Sequence, residues 1–204
     1  MADRLYLSLW FPNFRLAALP PAIMSVLKQF GDKNRAPRVH AAASFPLSWN
    51  EPPVYQRIYE EDEVQESAPE RAVAEAMEIL HDDFVYEFEI LWDLWVPETV
   101  GGLDPTWKLE PVKVHVAGFG PLFDEGAYEQ NGQVRVDFGL DSPFLLEEMD
   151  VDKTDAEYIK RNVQKLVDVT NAIQEKAGIS SRLLWSESGE NLAQKLIARL
   201  QRVN

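Results

Sequence analysis

Hydrophobic and polar residues alternate along 84–96, FVYEFEILWDLWV. Phe84, Tyr86, Phe88, Ile90, Trp92 and Leu94 share one side, and Val85, Glu87, Glu89, Leu91, Asp93 and Trp95 the other. A period of two sends successive side chains to opposite faces of a strand, so the stretch predicts a central strand with one face in a core and one face in polar surroundings. It is long for one flat strand, and a bend or bulge is expected near Leu91, where the alternation admits an extra apolar residue. The same pattern predicts strands over 4–11, 54–60, 112–119, 134–140 and 182–186, with Val134, Val136, Phe138 and Leu140 facing inward. Residues 38–49 are apolar enough for another, which Pro46 confines to an edge or a bulge.

Helical spacing appears four times. Over 20–30 the paired prolines suit a first turn, Ile23, Val26, Leu27 and Phe30 form a stripe, and Gly31 offers a left-handed stop. Ser67 and Glu70 form a capping box for a second helix, with Val73, Ala76, Met77 and Leu80 inward and His81 in its last turn, where the helix dipole favours a histidine. The longest helix lies within 150–178, opened by Thr154 and Glu157, with Ile159, Val163, Leu166, Val167, Thr170 and Ile173 as its stripe. A last helix over 191–203 has Ser188 as a cap. Asn131-Gly132 carries the composition of a two-residue hairpin turn.

Hairpin-linked strands mixed with helices predict an α+β fold, a mainly antiparallel sheet with helices packed on one face. Residues 1–204 are read as one compact unit. The glycines and proline of 97–107 mark a loop between halves 1–96 and 108–204, and a pseudo-repeat of those halves is an open alternative, although RLYLSLW and RLLW share few letters.

Composition narrows the function classes. The absence of cysteine excludes disulfides and thiolate metal sites. No apolar run approaches the roughly 20 residues of a membrane span. Pro12 cuts the first apolar run short, which speaks against a signal peptide, and a cytoplasmic location is expected. The net charge of -14 is uneven: 51–110 hold 17 acidic against 3 basic residues, whereas 1–50 hold 6 basic against 2 acidic and 153–204 hold 9 basic against 6 acidic. An acidic middle repels phosphate backbones, so no nucleic acid is expected, and it can steer a basic partner.

Motifs of established chemistry are missing. No glycine-rich phosphate loop follows a strand and no G-x-S-x-G elbow occurs; Gly118-Phe119-Gly120-Pro121 reads as a strand end with a turn. The three histidines lack metal-ligand spacing, and neither a metal nor a cofactor is expected. Two expectations follow from the strand faces. In the first, the chain is an acidic binding module for a basic protein, in the manner of an immunity or antitoxin-type inhibitor, with Glu87, Asp93, Trp95 and Trp107 as binding residues. In the second, neighbouring strands place His115 as a base beside Asp137 and Glu89 or Glu87 on one polar face, with Lys113 and Arg135 nearby, for small-molecule binding or catalysis.

Overall fold

The long alternating stretch becomes the third position in a sheet of seven strands. In the computed structural model, which describes residues 3–31, 35–59, 69–98, 106–145 and 153–189, the strands are β1 (Arg4–Trp10), β2 (Arg38–Pro46), β3 (Tyr55–Ile58), β4 (Phe84–Glu98), β5 (Thr106–Phe119), β6 (Val134–Leu140) and β7 (Ser181–Ser186). They lie in the order β3-β2-β4-β5-β6-β1-β7, and every neighbouring pair is antiparallel. The described helices are α1 (Leu19–Leu27), α2 (Pro69–Ala76), α3 (Tyr128–Asn131), α4 (Ser142–Leu145) and α5 (Lys153–Lys176). The fold is α+β, as the pattern predicts. β1 sits between β6 and β7, so segments from both ends of the chain share one sheet.

Alternation decides the core. Tyr86, Phe88, Ile90, Trp92 and Leu94 of β4 are buried with Leu5, Leu7 and Leu9 of β1 and Val134, Val136 and Phe138 of β6. Against them pack Ile23, Val26 and Leu27 of α1, Ala72 and Val73 of α2, and Leu166, Val169 and Ile173 of α5. Each large side chain so buried contributes about 1.5–3 kcal/mol. On the opposite face, Phe123 and Tyr128 close one corner over Val85, Ala117 and Phe119.

Several local expectations change. The extra residue opposite β4 is on its neighbour: the β2–β4 register shifts between Val39 and Ala41, which leaves His40 as the bulge, while β4 pairs β5 without interruption from Val85↔Phe119 to Glu98↔Thr106. Thus the ends of the presumed loop 97–107 are strand, and only its middle lies outside the described residues. Asn131-Gly132 does not turn a hairpin. A type I′ turn needs positive φ at both positions; here Asn131 closes α3, and Gly132 alone has φ +80°, beside the β1 backbone, where a Cβ would come within 2.6 Å of the Leu9 carbonyl.

At the helix ends, a 3-10 turn over Lys28–Phe30 follows α1, and Gly31 is extended rather than left-handed. α2 ends at Ala76, so His81 lies beyond its last turn. There the His81 N–H donates to Tyr86 Oη at 2.9 Å and its ring stacks on Phe84. Val167 turns outward, its expected place on the α5 stripe filled by Val169. Leu140 is exposed, next to Gly139 at φ +77° and the bulge that shifts β1 against β6. The Ser67 cap and the last helix over 191–203 lie outside the described residues.

Among the described residues, the β4–β5 ribbon continues beyond its neighbouring strands. β2 accompanies β4 only to Arg38↔Leu91, and β6 accompanies β5 only from His115 to Gly118. Asn162 of α5 takes up the freed β4 edge. Its Oδ1 accepts from the Trp95 N–H at 2.9 Å, and its Nδ2 donates to the carbonyls of Trp95 at 2.7 Å and Pro143 at 2.8 Å.

Candidate functional site

Cross-strand register brings the predicted polar residues into one row. Ile58, Ala41, Glu89, His115, Asp137, Tyr6 and Trp185 are successive partners across all seven strands, and the next row includes Glu87, Ala117, Arg135 and Ser8. His115 Nδ1 lies 3.4 Å from Glu87 Oε1 and its Nε2 3.7 Å from Glu89 Oε2. Lys113 Nζ reaches Glu89 Oε1 at 2.9 Å, His40 approaches the same oxygen at 3.7 Å, and Arg4 lies 3.6 Å from Asp137 Oδ2. Glu89 and Asp137 keep only 14% and 15% of their side-chain surface, whereas their partners Lys113 and Arg4 stand at 58% and 51%, so the carboxylates are covered and the cationic ends meet water.

The acid beside it governs His115. The Glu87 carboxylate close to Nδ1 raises its pKa above the ordinary histidine value, burial opposes this, and the charges of Glu89 and Asp137 add to the rise. The rise favours the imidazolium, the form that has no lone pair with which to accept a proton. Next to it burial lowers the pKa of Arg135, whose guanidinium stands over the rings of Tyr6 and Phe119 and donates to Asn131 Oδ1 at 3.0 Å. Carboxylates and cations stand side by side within the face as a network of ion pairs, in which Glu89 Oε1 and His115 Nδ1 are buried without a hydrogen bond among the described residues.

The other predicted residues are drawn to α5. Trp95 meets Tyr158 at a ring-centroid distance of 4.6 Å, and Trp107 stacks on the same ring at 5.2 Å. Trp107 Nε1 donates to Asp155 Oδ1 at 2.7 Å, and the Arg161 guanidinium lies over Trp95. Both tryptophans are half-buried. Asp93 pairs with Arg38.

A different surface gathers apolar and acidic side chains without pairing them. The loops 46–51, 81–84 and 120–125 converge at one end of the sheet, tied by backbone bonds: Leu47 N–H to the Asp83 carbonyl at 2.7 Å, Leu122 N–H to the Asp82 carbonyl at 2.7 Å, and Asp124 N–H to the Leu47 carbonyl at 2.8 Å. Leu47 and Leu122 are 58% and 63% exposed. Trp49, 37% exposed, is braced edge-on by Phe119 and Phe123. Around them stand Glu51, Asp82, Asp83, Asp124 and Glu125, the loops contain no lysine or arginine, and none of these five carboxylates has an ion pair among the described residues.

Backbone strain concentrates in the same place. Leu47, Asp124 and Glu125 hold φ of +61°, +47° and +55°, a region that costs an L-residue about 1–2 kcal/mol. Such strain persists where surrounding bonds over-determine it, and it clusters at functional sites. Sequence pattern assigns 38–49 to a strand and 118–121 to a turn, so these residues pass unnoticed; exposed apolar residues among prolines and acids are the one legible hint.

No protein-family model matches the chain, and comparison with curated proteins and with solved structures finds no significant relative.

Proposed function

We propose that this chain is a non-catalytic binding protein for a basic protein partner, and that the partner seats on the loop platform of Leu47, Trp49 and Leu122. The observation that carries this reading is the pairing of exposed, rigidly braced apolar side chains with five carboxylates that have no ion-pair partner among the described residues. Interfaces draw most of their energy from a few anchors, tryptophan prominent among them, while surrounding charge guides encounter and orientation. Strain in the platform backbone supports the same reading, since a partner that fits the strained shape meets it already formed. The polar row is then a stabilising network that fixes the sheet beneath.

The test is capture of partners from the native lysate, followed by calorimetry on the captured protein. The reading expects a partner of high isoelectric point whose affinity falls as salt rises. Trp49→Ala is expected to weaken binding by about 2 kcal/mol, roughly thirty-fold, and Asp124→Asn with Glu125→Gln to slow association. A captured partner that binds these variants as tightly as wild type, or that is indifferent to salt, overturns it.

A further inference from the structure

The uneven charge of the sequence has a structural counterpart far from the platform. The basic first segment supplies Lys28, Arg35 and Arg38, the basic last segment supplies Lys165 and Lys176, and the fold brings all five to one cavity of about 490 Å³. It opens between the 3-10 turn after α1, the edge of β4 that β2 leaves uncovered, and α5. Among the described residues two carboxylates line it, Asp93 and Asp168. Asp93 is engaged by Arg38, and its carbonyl accepts from Lys165; Asp168 accepts from Gln164 Nε2 at 2.8 Å. Lys28 bonds Glu70 at 3.0 Å on the outer side. Arg35 and Lys176 have no ion pair among the described residues and are exposed. In a chain of net charge -14, a concave site whose described lining holds five cations against two anions is the reverse of the average surface.

Like charges gathered in a cavity with low-dielectric walls raise the local potential, and an anion lowers it. The volume falls in the range of sites for small organic molecules, about 300–1,000 Å³. Phe30, Leu91 and Val169 give it an apolar wall beside the charges. Guanidinium forks match phosphate oxygens in pairs, and ammonium groups add point charge.

We propose that this cavity binds a small molecule bearing a phosphate group, held by Arg35, Arg38 and Lys176 with its organic body against Phe30 and Val169. The site is separate from the platform and does not depend on it.

Calorimetric titration of the full chain at low salt, with pyrophosphate, adenosine monophosphate, adenosine and succinate in parallel, tests this. Saturable binding of the two phosphate probes is expected, with adenosine silent and succinate at least ten-fold weaker. Arg35→Ala with Lys176→Ala is expected to weaken phosphate binding at least ten-fold. Ala172→Glu, which adds a carboxylate from a half-exposed helix position in the lining, is expected to do the same, with unchanged near-ultraviolet circular dichroism showing each variant folded. No saturable heat with either phosphate probe, equal affinity in both folded variants, or succinate binding as tightly as pyrophosphate overturns the proposal.

Discussion

Asp124 donates its backbone N–H to the carbonyl of Leu47 at 2.8 Å, and both residues hold positive φ. Each loop therefore keeps the other in a conformation that neither sequence favours. Leu47→Gly removes the steric cost at +61° while sacrificing little burial, because the side chain is exposed. The variant is expected to gain about 1 kcal/mol in urea denaturation. If the platform is the binding surface, the same variant loses affinity for the partner, so stability and binding move in opposite directions.

His115 makes stability depend on pH in a defined direction. Its folded pKa lies above the unfolded value, through Glu87 first and the other carboxylates after it. The stabilisation is therefore complete below about pH 6.5, the unfolded value, and is lost as pH rises through the folded pKa. Urea midpoints of wild type and His115→Gln measured across that interval should converge as pH increases. A gap that widens with pH is incompatible with this linkage.

Asn162 is buried on α5 with its amide spent on Trp95 and Pro143. Asn162→Ala leaves those main-chain groups unmatched, and a loss of about 2–4 kcal/mol is expected. Asn162→Asp keeps the acceptor but sets a carboxylate against two carbonyl oxygens, so it should be no better. Hydrogen exchange at the Trp95 amide would report the local opening directly.

Gly132 allows α3 to end against β1. With φ +80°, ψ 163° and the Leu9 backbone within 2.6 Å of any added Cβ, Gly132→Ala combines strain with a clash. A thermal midpoint drop equivalent to about 2–3 kcal/mol is expected. Asn131→Ala, which has no such backbone constraint, should cost much less.

Local patterns and distant contacts divide what the chain reveals in advance. β4, β1 and β6 are legible because a period of two is a local property that burial reinforces at every second residue. The hairpin at Asn131-Gly132 misleads because the glycine answers to Leu9, far away in sequence, and α2 ends early where the buried Tyr86 hydroxyl takes up the Ile79 carbonyl and the His81 N–H. Of the candidate residues, Glu87, Glu89, His115 and Asp137 fall on one polar face by alternation, but that they meet depends on the β4-β5-β6 order and its register, which alternation does not carry. That Trp95 and Trp107 would stack on Tyr158 depends on where α5 crosses the sheet. The platform depends on positive φ at Leu47, which no leucine announces.

The lone ribbon of β4 and β5 also has consequences for how this chain behaves in company. From Val114 back to Thr106, β5 keeps β4 on one side but has no strand on the other among the described residues, and a bare row of peptide groups is a template for another chain. Pro111 interrupts that row, and Lys108, Glu110 and Lys113 crowd it with charge of both signs. Those four side chains oppose intermolecular pairing along a margin that an uninterrupted apolar row would leave open to it.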